Sequence, residues 1–148
     1  MSDLADVLTQ PHRALPIVRV AAHMAWVDRR LVADEVSAAR SVAAVLGVER
    51  AGAGVLSCGP LEPVAFESAA LEAGARDVVY ATALWIALAD GVLDRVERAA
   101  LDALARCLRL DAYQREWIES LVWPWSGSSG EWERRYAGVL LQLEGGAT

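Results

Sequence analysis

The stretch LWIALADGVLDRVERAALDAL, residues 84–104, decides the fold of this chain. Its first part is an apolar segment that ends at Asp90-Gly91, and a second segment with helical spacing follows almost at once. Asp94 stands three residues before Glu97, which is the spacing of a capping box at the start of a helix. The stretch therefore predicts two helices joined by a short turn.

The same pattern occurs earlier in the chain, where Ala25–Val48 aligns with Ala87–Leu110. Asp28 precedes Asp90 by 62 residues, and the apolar positions keep this offset: Leu31 with Leu93, Val42 with Leu104, and Leu46 with Leu108. A constant offset over acidic, apolar and turn positions together indicates an internal repeat. Each repeat is predicted to be a helical hairpin.

The chain is predicted to be a single all-α domain over residues 1–148, because no alternating strand pattern occurs in it. Two hairpins can each bury an apolar face against the other, so we expect a pseudo-twofold four-helix core. Repeat one is expected over about 16–48, with a helix that starts near Pro16 and a second helix that stops at Gly47. Repeat two is expected over about 76–110, and a C-terminal helical extension is expected over 112–143.

Two finer predictions concern the remaining segments. The stretch AGAGVLSCGPLEP, residues 51–63, is rich in Gly and Pro and predicts a loop, followed by a short helix from about Val64 to Ala73. In the second helix of repeat two, an i, i+4 series predicts a buried stripe of Val96, Ala100, Leu104 and Leu108.

Charge and hydropathy limit the function. The formal net charge is -6 and no basic stripe opposes it, so nucleic acid is not expected as a partner. The longest apolar run, Val78–Ala89, is too short to cross a bilayer and predicts a buried helix. The first residues, MSDLADVLTQ, lack the pattern of a signal peptide. We therefore expect a cytoplasmic protein without a transmembrane segment.

The stretch ALADGVLDRVERAALDALARCL, residues 87–108, resembles the second signature of the TerB-like domain family of tellurite resistance. In that family a helix ends in Asp-Gly and a Glu follows seven residues after the Asp. Asp28 and Glu35 resemble the first signature in weaker form, and the resemblance covers about residues 16–122. It implies a compact helical domain of bacteria, associated with tellurite and other stress responses, whose acidic turns bind a divalent metal. Arg29 departs from the family, which has Gly there, and this counts against a metal at the first turn.

One interpretation of the acidic turns is a metal site. Asp90 lies at the predicted end of a helix, where the macrodipole disfavours an anion by about 0.3–1 kcal/mol, so the carboxylate needs a partner. If the repeat brings the turns together, four carboxylates would form a site for Ca²⁺ or Mg²⁺: Asp28, Glu35, Asp90 and Glu97.

The other interpretation is purely structural. Asp94 and Glu97 would cap the second helix, and Gly91 would supply the positive φ that the turn requires. In repeat one, Arg29 and Arg30 would neutralise the acid at the turn. Both interpretations are open at the level of sequence.

Four of the six tryptophans lie on either side of a Gly-Ser break: Trp117, Trp123, Trp125 and Trp132. Such aromatic residues either close the end of a helical core or form a docking surface for an unidentified protein partner.

No arrangement of nucleophile and base occurs, so no enzymatic activity is expected. The leading prediction is a non-enzymatic TerB-like stress-response protein that binds a divalent cation. The alternative is a protein-interaction or scaffold module with structural acidic turns and a Trp-rich docking surface.

Overall fold

The computed structural model describes residues 11–26, 33–56, 61–89, 91, 93–125 and 131–146. Every regular element in these ranges is helical, which confirms the prediction of an all-α domain. The α-helices are α1 (Pro11–Trp26), α2 (Ala33–Val45), α3 (Glu49–Leu56), α4 (Pro63–Glu72), α5 (Arg76–Ala87), α6 (Arg95–Cys107), α7 (Ala112–Val122) and α8 (Trp132–Gly146), and a 3₁₀ turn (Trp123–Trp125) follows α7. None of the helices in these ranges combines the length and the apolar character that a bilayer crossing needs.

Helix α5 lies at the centre of the fold. All residues from Val78 to Ala89 are buried, which confirms the prediction of a buried helix for this run. Helices α1, α2, α4, α6, α7 and α8 all pack against it. Because a helix that is apolar all round has to be covered on every side, α5 organises the other elements around itself.

The two predicted hairpins are α1–α2 and α5–α6, and α1 packs along α5 to join them. Burial repeats with the same offset of 62 residues along the two leaving helices. The equivalent pairs, all at most 5% exposed, are Glu35 and Glu97, Ala39 and Leu101, Val42 and Leu104, Ala43 and Ala105, and Leu46 and Leu108. A twofold relation between the hairpins stays a prediction.

The two leaving helices also end in the same way, with the pair of hydrogen bonds of a Schellman motif. The residue in the left-handed region is Gly47 in the first hairpin, with φ 75°, and Arg109 in the second, with φ 56°. The stop predicted at Gly47 is therefore confirmed. The outer bonds run from the N–H of Val48 to the carbonyl of Ala43 (2.9 Å) and from the N–H of Leu110 to the carbonyl of Ala105 (3.1 Å).

Helix α1 extends further towards the N-terminus than predicted. It is helical from Pro11, so Pro16 lies inside the helix and is buried there. The expected start near Pro16 is wrong because the preference of proline for the first turn is only local. The preceding turn carries Ala14, which is fully buried and continues the apolar face of the helix.

The loop predicted over residues 51–63 is wrong in its first half. Residues up to Leu56 belong to α3, residues 57–60 lie outside the described ranges, and α4 begins at Pro63, close to the predicted start. Each glycine inside a helix costs about 1 kcal/mol relative to alanine. Helix α3 packs against both α1 and α2, and Val55 contacts the core, so tertiary contacts outweigh this cost.

The buried face of α6 is rotated from the predicted stripe. Val96 is 47% exposed, whereas Glu97 and Leu101 are buried beside Leu104 and Leu108. An i, i+4 series turns by about 40° at each step around a helix with 3.6 residues per turn, so one that reaches the core at Leu104 and Leu108 starts outside it at Val96. At the start of α6 the side chain of Glu97 is therefore buried, and that of Val96 is not.

Two alanine substitutions on α6 test this face. Leu104→Ala should lower the free energy of unfolding by about 2–5 kcal/mol, because it empties a fully enclosed site. Val96→Ala should change it by less than about 0.5 kcal/mol, because the side chain is half exposed. Urea unfolding of both variants measures the difference, and equal losses would place the buried face of α6 elsewhere.

Two glycines provide a test in which one chemical change has opposite effects. A methyl group at Gly47 or at Gly54 would meet nothing within 4 Å, so neither substitution creates a clash. Gly47→Ala should destabilise by about 1 kcal/mol because its φ is positive. Gly54→Ala, inside α3, should stabilise by about 0.5–1 kcal/mol. Thermal unfolding shows both signs, and a stabilised Gly47→Ala variant would contradict the left-handed end of α2.

Candidate functional site

The candidate site begins with two buried glutamates. Glu35 and Glu97 lie in the first turns of α2 and α6, and they are only 1% and 2% exposed. A carboxylate at this depth is costly unless hydrogen bonds or opposite charges compensate it, so glutamate is rarely found there. The two hairpins therefore place the same costly group at the same position of the repeat.

The capping box predicted at the start of α6 is confirmed. The Oδ1 atom of Asp94 accepts a hydrogen bond from the N–H of Glu97 at 2.7 Å, and the Oε1 atom of Glu97 accepts one from the N–H of Asp94 at 3.3 Å. Gly91 has a φ of 84°, as the structural interpretation of the turn requires. Asp94 is therefore a capping residue of α6.

The first hairpin cannot repeat this reciprocal box. The residue 62 positions before Asp94 is Val32, whose side chain has no oxygen to accept a hydrogen bond. A capping box needs such an acceptor at the residue that precedes the helix. The reciprocal box of the second hairpin is thus not encoded at the equivalent position of the first.

The other two predicted metal ligands, Asp28 and Asp90, lie outside the described residues. Within the described ranges, no three His, Cys, Asp or Glu side chains lie close enough together to hold a metal ion. The site of four carboxylates stays a prediction. Its donor set fits a hard cation, since carboxylate oxygens are the ligands that Ca²⁺ and Mg²⁺ prefer.

A polar network around Tyr80 joins three helices. Nε of Arg115 donates to the hydroxyl of Tyr80 at 2.7 Å and to Oε1 of Glu119 at 3.1 Å. The Tyr80 hydroxyl donates to the same Glu119 oxygen at 3.0 Å, and Nη2 of Arg115 pairs with Asp102 on α6. Burial, and next the Glu119 carboxylate, raises the pKa of Tyr80 to about 12, so the phenol stays a donor. The network fixes α7 against α5 and α6.

Sequence reasoning missed this network. The only local signal is the i, i+4 spacing of Arg115 and Glu119, which is typical of an ion pair on a helix surface. Tyr80 lies 35 residues before Arg115, and no periodicity links the two positions.

His23 connects α1 to the start of α4. Its Nδ1 atom accepts a hydrogen bond from the N–H of Leu61 at 2.9 Å, and its ring stacks on Phe66 at a centroid distance of 4.1 Å. The side chain is only 9% exposed, so His23 belongs to the boundary of the core. Burial lowers the pKa of His23 to about 4, so the ring is neutral at physiological pH.

The four candidate tryptophans have different surroundings. Trp132 is half-buried and meets Trp85 edge-on at 6.0 Å, and Trp117 is half-buried against the core. Trp123 is 55% exposed. Trp125 closes the 3₁₀ turn, and its side chain lies outside the described part of the chain. Of the four, Trp123 is thus the one whose described surface is mostly open to solvent.

Comparison of the chain with protein-family models, with curated proteins and with solved structures finds no match. The resemblance to the TerB-like family thus stays a prediction that rests on the quoted residues.

His23 predicts a specific dependence of stability on pH. Its pKa is about 4 in the folded protein and 6.5 in an unfolded chain, so the unfolded state binds more protons between these values. The stability that this group contributes is complete above pH 6.5 and is lost as the pH falls towards 4. The loss of stability approaches about 3 kcal/mol, because each unit by which the folded and unfolded pKa values differ contributes about 1.4 kcal/mol.

The control is His23→Asn, which keeps an acceptor near the N–H of Leu61 but binds no proton in this range. Urea unfolding at about pH 7 and pH 4.5 measures the loss for both proteins. The carboxylates contribute equally to both, so wild type should lose about 2–3 kcal/mol more than the variant. An equal loss would show that His23 takes up its proton without cost in the folded state.

Proposed function

We propose that this protein is a non-enzymatic, TerB-like bacterial stress-response domain that binds a divalent cation, Ca²⁺ or Mg²⁺, through its acidic turns. The observation that carries the proposal is the repeated burial of one carboxylate per hairpin, Glu35 on α2 and Glu97 on α6. Each carboxylate lies in the first turn of the leaving helix of its hairpin, at equivalent positions of the repeat. Carboxylate oxygens are the ligands that a hard divalent cation prefers, so a cation would find suitable donors in these two residues.

The proposed ligands are Asp28, Glu35, Asp90 and Glu97. The two aspartates stand seven residues before the two glutamates. The helices that precede the two turns, α1 and α5, pack against each other. Asp94, which caps α6, is not one of the proposed ligands. The cation would supply charge compensation and cross-link the hairpins, and no chemical step is assigned to it.

Thermal or urea unfolding with EDTA, Ca²⁺, Mg²⁺ or Mn²⁺ tests the proposal. A cation that binds only the folded state should stabilise it by about 2.7 kcal/mol at a hundredfold excess over its Kd. Glu35→Gln and Asp90→Asn preserve side-chain shape but remove charge, so each should abolish the gain. Asp90→Asn should be as stable as wild type in EDTA, since a helix C-terminus disfavours the anion.

Asp94→Ala is the matched control among the acidic residues of the turn. It should lose about 0.5–2 kcal/mol through the missing cap, equally with EDTA and with metal. The proposal is wrong if millimolar cations leave wild type unchanged and both charge-removing variants lose stability in EDTA. The buried carboxylates would then be structural hydrogen-bond acceptors only.

We propose an interaction module as the second candidate function, in which the acidic turns are structural. The observation that favours it is the exposure of Trp123, because a large aromatic ring open to solvent is typical of a protein-binding surface. This role does not depend on a bound cation.

A further inference from the structure

Helix α7 carries aromatic side chains on its solvent side. Tyr113 is 79% exposed and Trp123, directly after the helix, is 55% exposed. Glu116 and Ser120 are exposed between them, at helical spacing from Tyr113. We call these four residues the outer face of α7. The two rings lie on the same side of the helix but are separated along it, and both are residue types that are enriched at protein-binding surfaces.

The inner side of α7 is fully engaged. Ile118 and Val122 are buried, and Arg115 points inward to the Tyr80 hydroxyl and to Asp102 on α6. The arginine of this helix is therefore unavailable to the outer face. Among the four residues of the outer face, Glu116 is the acidic one.

Rings and a carboxylate on one surface select a cationic ligand. The face of an aromatic ring attracts a guanidinium group, and a nearby carboxylate adds a charged hydrogen-bond acceptor. The net charge of -6 favours the approach of a basic partner. A second copy of this chain fits poorly, because a twofold contact through this face would bring Glu116 towards its own equivalent.

We propose that the outer face of α7 docks an arginine-bearing, basic segment of a partner protein. The inference rests on the interaction role proposed above and names the partner class. From Tyr113 to Trp123 the rise along a helix is about 15 Å, which matches about five residues of extended chain. Tyr and Trp are also the residues that most often carry the binding energy of an interface.

Selection from a library of random peptides of about 12 residues, displayed on phage, tests the proposal without assuming a sequence. One arm uses wild type and the other uses the Tyr113→Ala, Trp123→Ala double variant, both in EDTA so that the cation proposal does not enter. Peptides enriched on wild type should be rich in arginine. By calorimetry, they should bind wild type at least tenfold more tightly than the double variant. Both substitutions lie on an exposed surface and should leave the helical circular dichroism unchanged.

Two single variants refine the result. Glu116→Gln should weaken the enriched arginine peptides about three- to tenfold and reduce the salt dependence of their binding. Leu141→Ala removes an equally exposed apolar side chain, 68% exposed on α8, and should leave binding unchanged.

The outcomes separate the inference from the role on which it rests. If the enriched peptides are neutral or acidic and lose affinity on the double variant, the docking surface stands and the basic partner class is wrong. If arginine peptides bind the double variant as tightly as wild type, or lose affinity on Leu141→Ala, the site is elsewhere. If no peptide is enriched on wild type, the docking face and the interaction role are both wrong.

Discussion

Helix α5 has no side that faces water between Val78 and Ala87, and this constraint determines the positions of the helices around it. Six helices pack against α5, and the largest of these contacts is with α1, the entering helix of the other hairpin. Burial of its apolar side chains contributes about 25 cal/mol for each Å² removed from water. The surrounding helices are thus held by a shared partner rather than by one another alone.

Two polar side chains on this central helix restrict how the others can pack. Tyr80 is fully buried and needs partners for its hydroxyl, which Arg115 and Glu119 on α7 supply. Thr82 is fully buried too and shares a 2.7 Å hydrogen bond with the hydroxyl of Tyr136 on α8. Leaving such a hydroxyl unpaired costs about 1–3 kcal/mol, so α7 and α8 have little freedom to slide or rotate on α5.

The same constraint separates the two proposed binding regions. The buried glutamates belong to the leaving helices of the hairpins, which meet the core at their first turns. The aromatic face belongs to α7, whose inner side is held by Tyr80 and Asp102 and whose outer side is therefore fixed towards solvent. A rigid helix that presents exposed rings loses little conformational entropy on binding, which suits a docking surface.

The amino-acid sequence determines the features of this protein that depend on neighbouring residues. The apolar run of α5, the Asp94 cap and the stop at Gly47 are each encoded within a few residues, because capping and turn chemistry act over a single helical turn. The hairpin repeat is also visible, since its offset is constant. These features were enough to predict the fold class and the candidate carboxylates.

Other features depend on partners that are distant in the chain. Helix α3 forms in spite of its glycines because α1 and α2 cover it, and Glu97 rather than Val96 faces inward because the whole of α6 is oriented by its neighbours. In the sequence Arg115 resembles a surface ion-pair residue, because its hydrogen bond to Tyr80, 35 residues earlier, is visible only in the structure. Contacts of this kind leave no periodic trace in the sequence, so tertiary packing alone determines which side of α7 is bound to the core and which side carries exposed aromatic rings.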